Sequence, residues 1–236
     1  MTNEPVIPEF GDASGCIEEN RFFCIDWVRE HWTDVLQPAL VQHVKLTGIA
    51  VVVGFAIAFG AALVAHRFRF VERPFAALSA LIYTVPSIAL FQLLVPVTGL
   101  SVLTVEVALV GYTLLILFRN ILEGLRAAPP DVLEAARGMG YTRRQTLWRV
   151  ELPLALPAIV AGLRVATVST IAIATIAAFV IPEGLGKPIF NGLREYFKTE
   201  IVAAGLLAIL LALVADALLV LAQRGLTPWA AARRTA

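Results

Sequence analysis

The chain alternates between long apolar runs and short polar stretches. Five runs are apolar enough to cross a membrane, since about 20 apolar residues in a helix span the hydrocarbon core. These runs cover roughly residues 43–65, 75–97, 102–122, 157–181 and 200–222. In lipid the backbone must satisfy its own hydrogen bonds, and the runs are too long and too continuously apolar for barrel strands. The sequence therefore predicts an all-α integral membrane protein with five transmembrane helices.

Basic residues are concentrated on one side of these predicted helices. They lie in the loops after the first and third runs and in the C-terminal tail: Arg67, Arg69, Arg73, Arg126, Arg137, Arg143, Arg144, Arg149, Arg224, Arg233 and Arg234. The loop between the second and third runs has no Lys or Arg, and the first 35 residues are acidic. The positive-inside rule then predicts a plasma-membrane protein with its N-terminus outside and its C-terminus in the cytoplasm.

The resulting domain prediction has three parts: an extracytoplasmic segment at 1–39, a transmembrane domain at 40–222 and a cytoplasmic tail at 223–236. Within the first part, apolar residues recur at near-helical spacing: Ile17, Phe22, Ile25, Val28, Trp32 and Val35. They indicate an amphipathic helix, which either lies on the outer membrane surface or packs against the transmembrane bundle. Cys16 and Cys24 either pair, if this side is oxidising, or remain inert thiols.

Composition supports the membrane class and excludes several others. Hydrophobic residues make up 58% of the chain and charged residues 16%, and the mean hydropathy is +0.79. The formal net charge of +1 gives no reason to expect nucleic acid as a partner. The three histidines, His31, His43 and His66, are scattered, so we expect neither a metal site nor the cluster of side chains that a membrane-embedded enzyme needs.

A polar stretch at 126–157 separates the third and fourth runs. Its first half has Pro130 at a helix start and ends near Gly138 and Gly140, as helix-terminating glycines do. Its second half has Thr142 as a candidate N-cap, and Pro153 and Pro157 are expected to end that helix and turn the chain into the fourth run. The sequence predicts a short, rigid, cytoplasmic helical hairpin with a basic flank, suited to docking in a groove on a partner.

The hairpin carries a recognisable motif. Glu134-Ala135-Ala136, Gly140, Val150 and Leu152-Pro153 match the signature Glu-Ala-Ala, three residues, Gly, nine residues, Ile, one residue, Leu-Pro, with valine in place of isoleucine. In this, the chain resembles the permease subunits of bacterial type I ABC importers. The resemblance implies that the hairpin is a coupling helix, with Glu134, Ala135, Ala136 and Gly140 contacting an ATPase, and Leu152 and Pro153 anchoring the hairpin.

Three further stretches resemble one subfamily, the permeases that import osmoprotectants. They are YTVPSIALFQLLVP (83–96), GLRVATVSTIAIATIAAFV (162–180) and EGLGKPIFNGL (183–193). The resemblance implies a path for a compatible solute such as glycine betaine, choline, carnitine or proline betaine. The chain departs from the subfamily at Ile181, Pro182 and Glu183, where small residues are usual, which leaves another small solute, such as an amino acid or related amine, as the alternative.

Polar groups inside the predicted helices are candidates for that path. Pro86 removes a backbone hydrogen bond from the second run, and nearby polar side chains either satisfy the freed groups or line the path. The candidates for the path are Tyr83, Thr84, Pro86, Ser87, Thr167 and Thr170. Packing at helix interfaces is the competing explanation for all six. The intramembrane charges Glu106, Arg164 and Asp216 are expected to pair within the fold or to reach the interface.

The chain is expected to work with partners. It lacks a phosphate-binding loop, because GLGKP has Pro188 where a hydroxyl is required. We therefore expect no ATPase activity and no cofactor here, with ATP and Mg²⁺ held by two ATP-binding cassette subunits. A second permease copy or homologue, an extracytoplasmic substrate-binding protein and the lipid bilayer complete the expected assembly. A secondary transporter fits the sequence less well, since such proteins are usually built from internal repeats and none is visible. A scaffold subunit without its own translocation path is excluded less firmly.

Overall fold

The structure, a computed structural model, describes residues 14–227, and within that range its regular elements are helices. They are α1 Ser14–Glu18, α2 Ile25–Glu30, α3 Gln37–Arg67, α4 Arg69–Thr84, α5 Ser87–Thr98, α6 Val102–Arg126, α7 Pro130–Gly138, α8 Arg143–Thr146, α9 Leu152–Ala177, α10 Gly186–Arg194 and α11 Lys198–Leu226. Two π-helical turns, Trp32–Leu36 and Leu147–Glu151, lead directly into α3 and α9. The acidic residues at positions 4, 9 and 12 and the basic Arg233 and Arg234 lie outside the described residues.

Four continuous helices have the length and apolar composition to cross a membrane: Trp32–Arg67, Val102–Arg126, Arg143–Ala177 and Lys198–Leu226. The second predicted run is different, because it forms α4 and α5, which meet at an angle of 105°. The fold is thus all-helical, as predicted, with four spans or five if the bent pair counts as one. The predicted interruption at Pro86 is confirmed and is a complete break, since Pro86 has φ −56° and ψ 136° and begins α5 instead of continuing α4.

The start of the fourth span also differs from the prediction. Pro153 and Pro157 do not end the preceding helix, because the chain is helical without interruption from Arg143 to Ala177. Pro153 occupies the first turn of α9, directly after the π-helical turn. The wider π-helical turn gives the proline ring room beside the preceding backbone, so Pro153 is accommodated without ending the helix. The hairpin's second arm and the span are therefore one element.

The core is built around α6, which packs between α3 and α9 through small residues. A Cβ added at Gly54 of α3 would lie 1.8 Å from Thr113 Oγ1, and one at Gly162 of α9 would lie 2.5 Å from Asn120 Cβ. Such spacing lets helix backbones approach closely, which is how helices associate in lipid. One buried cluster at the α3–α6–α9 contact includes Leu117, Phe118 and Ile121, all fully enclosed.

The N-terminal segment folds as two short helices, α1 and α2, and not as one continuous helix. A disulfide joins Cys16 to Cys24. Trp27 is buried, with its ring 5.3 Å from that of Phe197 at the start of α11. Phe22 is 72% exposed, so one face of the segment packs on the bundle while the other stays open. The placement of this segment on the outer membrane surface remains a prediction.

Candidate functional site

The first arm of the polar hairpin, α7, ends in a Schellman motif. Gly140 has φ +81°, its N–H bonds to the Arg137 carbonyl at 2.9 Å, and the Tyr141 N–H bonds to the Ala136 carbonyl at 3.0 Å. This left-handed conformation favours glycine, and the two bonds satisfy carbonyl groups that the helix end leaves without partners. The predicted role of Gly140 in ending the helix is confirmed, whereas Gly138 is the last residue of α7.

The second arm begins with the predicted cap. The Thr142 hydroxyl accepts a hydrogen bond from the Gln145 N–H at 3.4 Å, while the Thr142 N–H donates to Gln145 Oε1 at 2.8 Å. This reciprocal pair is a capping box, which fixes the point where the helix starts. Arg143 and Arg144 follow at once and are exposed, as expected for a basic flank.

The motif residues divide between the hairpin surface and its contact with the bundle. Glu134, Ala135 and Gly140 are exposed, whereas Ala136 is 1% exposed. Leu152 packs against the buried cluster at the α3–α6–α9 contact. The remaining two motif residues, Val150 and Pro153, are half-buried. The hairpin thus exposes Glu134 and two small residues beside its basic flank, while other residues fix it to the membrane part.

Two polar bridges hold the surroundings of the hairpin in place. His66 Nε2 lies 2.9 Å from Glu151 Oε2, which links the end of α3 to the turn before α9. The Arg126 guanidinium donates to both carboxylate oxygens of Glu72, at 2.9 and 2.6 Å, which links α6 to α4. Bidentate pairs of this kind define orientation as well as distance. The hairpin is therefore attached to a part of the bundle that these two polar contacts hold in a fixed arrangement.

The break between α4 and α5 forms a second polar feature. Tyr112 of α6 donates its hydroxyl to the Val85 carbonyl, and the Thr84 hydroxyl donates to the Leu81 carbonyl at 2.8 Å. These bonds satisfy backbone groups near the proline, as irregular backbone in a membrane protein requires. Tyr83 lies 6.1 Å from Tyr112 between ring centres and is 43% exposed. The sequence offered residues 83, 84 and 87 either for satisfying these groups or for lining the path, and it gave no sign of Tyr112, which is distant in sequence.

The six candidate path residues are not equally placed. Tyr83, Thr84 and Pro86 are exposed at the break, and Ser87 and Thr167 are half-buried. Thr170 is 2% exposed, and its hydroxyl donates to the Ala166 carbonyl of its own helix at 2.7 Å. In this conformation Thr170 therefore packs inside the chain, while the other five reach its surface.

The structure also shows the surroundings of the charged side chains within the predicted spans. The Arg164 guanidinium and the Asp216 carboxylate form a bidentate pair, at 2.7 and 2.9 Å, which confirms the expected pairing within the fold. Neither oxygen of the Glu106 carboxylate has a hydrogen-bond partner among the described residues. The Arg164–Asp216 pair thus joins α9 to α11, which are distant in sequence.

His43 has a role that sequence reasoning missed. The Leu185 N–H donates to His43 Nδ1 at 3.2 Å, so Nε2 carries the ring proton and donates to the Ile171 carbonyl at 3.1 Å. Gln42 accepts from the Gly184 N–H at 3.0 Å. Gly184 has φ +63°, and an added Cβ would lie 2.9 Å from His43 Nδ1. A fully buried imidazole thus holds the Gly-Leu-Gly turn, and the only signal in the sequence was one histidine in an apolar run.

Known proteins are similar to this chain in sequence and in fold. Residues 50–231 match the family model described as "Binding-protein-dependent transport system inner membrane component". The choline transport system permease protein OpuBB of Bacillus subtilis is 35% identical over 79% of this chain and 86% of its own length. The osmoprotectant import permease protein OsmW of Salmonella typhimurium is 39% identical over 79% of this chain and 89% of its own length.

A solved structure of the MetNI methionine ABC transporter in an inward-facing conformation superposes with a TM-score of 0.68. It is 20% identical and covers 78% of this chain and 93% of that one, so it supports the fold. The family match and the relatives together show which protein family the chain belongs to. This chain belongs to the family of binding-protein-dependent transport system inner membrane components, the multi-pass permease subunits of ABC importers, which are not ATPases themselves.

Proposed function

We propose that this permease forms the translocation path of an ATP-driven importer for a compatible solute such as glycine betaine, choline, carnitine or proline betaine. Relatives named for choline and osmoprotectant transport support this substrate class, at 35% and 39% identity over most of the chain. The methionine transporter shares the fold at 20% identity. An amino acid or related amine is therefore the second candidate substrate.

The proposed topology counts α4 and α5 as one broken span, which gives five spans with the N-terminus outside. The charge distribution supports it, because the arginine-rich hairpin and the loop with Arg67, Arg69 and Arg73 then lie on the cytoplasmic side. On this topology the disulfide-linked N-terminal segment faces the oxidising side of the membrane.

The observation that carries the proposed mechanism is the continuity of the hairpin with the fourth span. Arg143 to Ala177 is a single helix of 35 residues, about 50 Å long at 1.5 Å per residue. A force applied to the hairpin therefore moves the span as a rigid lever and is not absorbed in a flexible joint. The proposed path is lined by the residues at the helix break and by two threonines of α9: Tyr83, Thr84, Pro86, Ser87, Thr167 and Thr170.

The proposed assembly contains two permeases, as a homodimer or with a homologue, and two ATP-binding cassette subunits that hold ATP and Mg²⁺. An extracytoplasmic binding protein delivers the solute. Closure of the ATPase pair would press on the exposed surface at Glu134, Ala135 and Gly140. The exposure of these residues, beside the basic Arg143 and Arg144, supports contact with a partner that offers a cleft.

The test is ATP-driven uptake of labelled glycine betaine into proteoliposomes that hold the purified complex. Glu134→Arg reverses the charge of the exposed motif glutamate, and we expect uptake to be lost while the permease still folds. Glu195→Arg is the matched control, since Glu195 is equally an exposed glutamate but lies just beyond the end of α10. It should leave uptake close to that of the wild type.

The outcomes separate coupling from substrate class. Loss in Glu134→Arg alone supports the coupling role. Normal uptake in Glu134→Arg would show that the hairpin is only a loop. If the wild type moves no compatible solute but its ATPase responds to an amino acid and the corresponding binding protein, the importer assignment survives and the substrate assignment falls.

A further inference from the structure

A groove of about 620 Å³ lies on the surface of the chain between α9 and α11. Its walls are apolar, formed by residues that include Val165, Val168, Ile209 and Leu213. The Arg164–Asp216 ion pair also lines the groove. The side chains of the pair are 35% and 34% exposed, so both charged groups can be reached from the groove. A groove of this volume suits a small organic solute.

The ion pair lies within the predicted membrane part. Arg164 is 7 residues beyond the start of the fourth predicted run at 157, or about 10 Å at 1.5 Å per residue. Asp216 is 6 residues before the end of the fifth predicted run at 222, or about 9 Å. Both values are about a third of the roughly 30 Å hydrocarbon thickness. Charged side chains inside a membrane span almost always face the protein interior or a water-filled cavity and not lipid tails. We therefore place the groove in the interior of the assembled transporter.

The pair leaves one edge of the guanidinium available. It uses Nε and Nη2 of Arg164, each with one oxygen of Asp216. Of the five N–H groups of arginine, three take no part in this pair. The Nη1–Nη2 edge can therefore hold a second carboxylate, in the planar bidentate geometry that arginine favours.

The other half of the groove suits a cation without N–H groups. A quaternary ammonium cannot donate a classical hydrogen bond, so it is attracted by charge alone and packs its methyl groups on apolar walls. The Asp216 carboxylate supplies the charge, and the aliphatic side chains of α9 and α11 supply the walls. A solute with both groups adds no net charge to the site, which matters because unpaired charge is costly at this depth.

Building on the proposed function, we propose that this groove is a binding site for zwitterionic solutes that carry both a quaternary ammonium and a carboxylate. Arg164 holds the solute carboxylate, and Asp216 faces its ammonium. Glycine betaine, carnitine and proline betaine fit this description, whereas choline has no carboxylate and would use only half of the site. The groove thus selects within the wider class of compatible solutes.

The experiment uses the complete reconstituted importer with saturating binding protein, so that capture outside the membrane does not limit the rate. Maximal ATP-driven uptake is measured for labelled glycine betaine and for labelled choline. Equilibrium dialysis of glycine betaine against the permease–ATPase complex without binding protein gives a direct measure of the site. Basal ATPase activity and assembly are recorded for each variant.

The main variant is neutral, Arg164→Met with Asp216→Leu, which removes the charges together and leaves neither partner unpaired. We expect it to assemble with the ATPase, but to lose glycine betaine binding by at least about tenfold, as expected when a charged hydrogen-bonded contact is lost. The matched control neutralises the other bidentate pair, Glu72→Leu with Arg126→Met, which lies outside the groove. It should retain glycine betaine binding.

A second variant covers the case in which the neutral one does not assemble. Arg164→Lys keeps the charge but lacks the planar fork, so it should lower maximal glycine betaine uptake more than choline uptake. Equal loss for the two solutes would overturn the proposal.

The remaining outcomes are distinct. Unchanged glycine betaine binding in the neutral variant, or equal loss in the control pair, would overturn the groove as the site while leaving the proposed function intact. Wild-type uptake of choline but of no carboxylate-bearing solute would also overturn it. If the wild type moves none of these solutes, the proposed substrate class and this site fall together.

Discussion

The contact between Gly54 of α3 and Thr113 of α6 gives the sharpest test of the packing. An alanine Cβ at position 54 would lie 1.8 Å from Thr113 Oγ1 and 3.1 Å from Thr113 Cβ. Carbon atoms in contact prefer about 3.5–4.0 Å. Thr113 is 1% exposed, and its hydroxyl donates to the Val110 carbonyl at 2.8 Å. A β-branched side chain held in this way has little freedom to rotate away.

The substitution Gly54→Ala must therefore push α3 and α6 apart. Forcing extra methyl groups into a packed core costs about 1–3 kcal/mol. Gly60→Ala is the matched control: it makes the same change in the same helix, at a position with nothing within 4 Å. There alanine should stabilise the helix by about 0.5–1 kcal/mol relative to glycine.

The measurement is the free energy of unfolding of the purified permease in mixed detergent micelles, followed by tryptophan fluorescence during an SDS titration. Thr113→Ala removes the nearest atom, so the double variant Gly54→Ala with Thr113→Ala should recover part of the loss. The double-mutant cycle isolates this contact from the cost of Thr113→Ala alone. Equal stability of Gly54→Ala and Gly60→Ala would refute the close approach of the two helices.

Three further predictions address the hairpin, the Gly-Leu-Gly turn and the N-terminal segment. Thr142→Ala should weaken the start of α8 by about 1 kcal/mol, measured as faster amide hydrogen exchange in α8; unchanged exchange would show that the capping box is not needed. His43→Phe leaves the Leu185 N–H without its partner, and should lower the free energy of unfolding by about 1–3 kcal/mol; no loss would contradict the proposed anchor. Cys16→Ser with Cys24→Ser should increase proteolysis of α1 and α2 in detergent, compared with the wild type under oxidising conditions, and equal proteolysis would rule out a stabilising disulfide.

Local sequence patterns were enough to predict the helical class, the end of the first hairpin helix and the start of the second. Long apolar runs identify membrane helices because lipid offers the backbone no alternative partner. Gly140 and Thr142 were identified because a left-handed turn and an N-cap are properties of a few neighbouring residues. The length of the second arm was not predicted, since proline is helix-breaking by propensity and the π-helical turn that accommodates it depends on context.

The partners that give these residues their roles became visible only in the tertiary structure. Arg164 and Asp216 are separated by 52 residues, and His43 and Leu185 by 142, so no spacing rule connects them. In the same way, Pro86 marked the break in the sequence, but nothing in the sequence indicated that Tyr112, on a different helix, donates its hydroxyl to the Val85 carbonyl at that break. Sequence determined which segments are apolar enough to cross a membrane, because that depends on the transfer of each residue from water to lipid. The tertiary structure decided which polar groups meet there, because that depends on how the helices pack against one another.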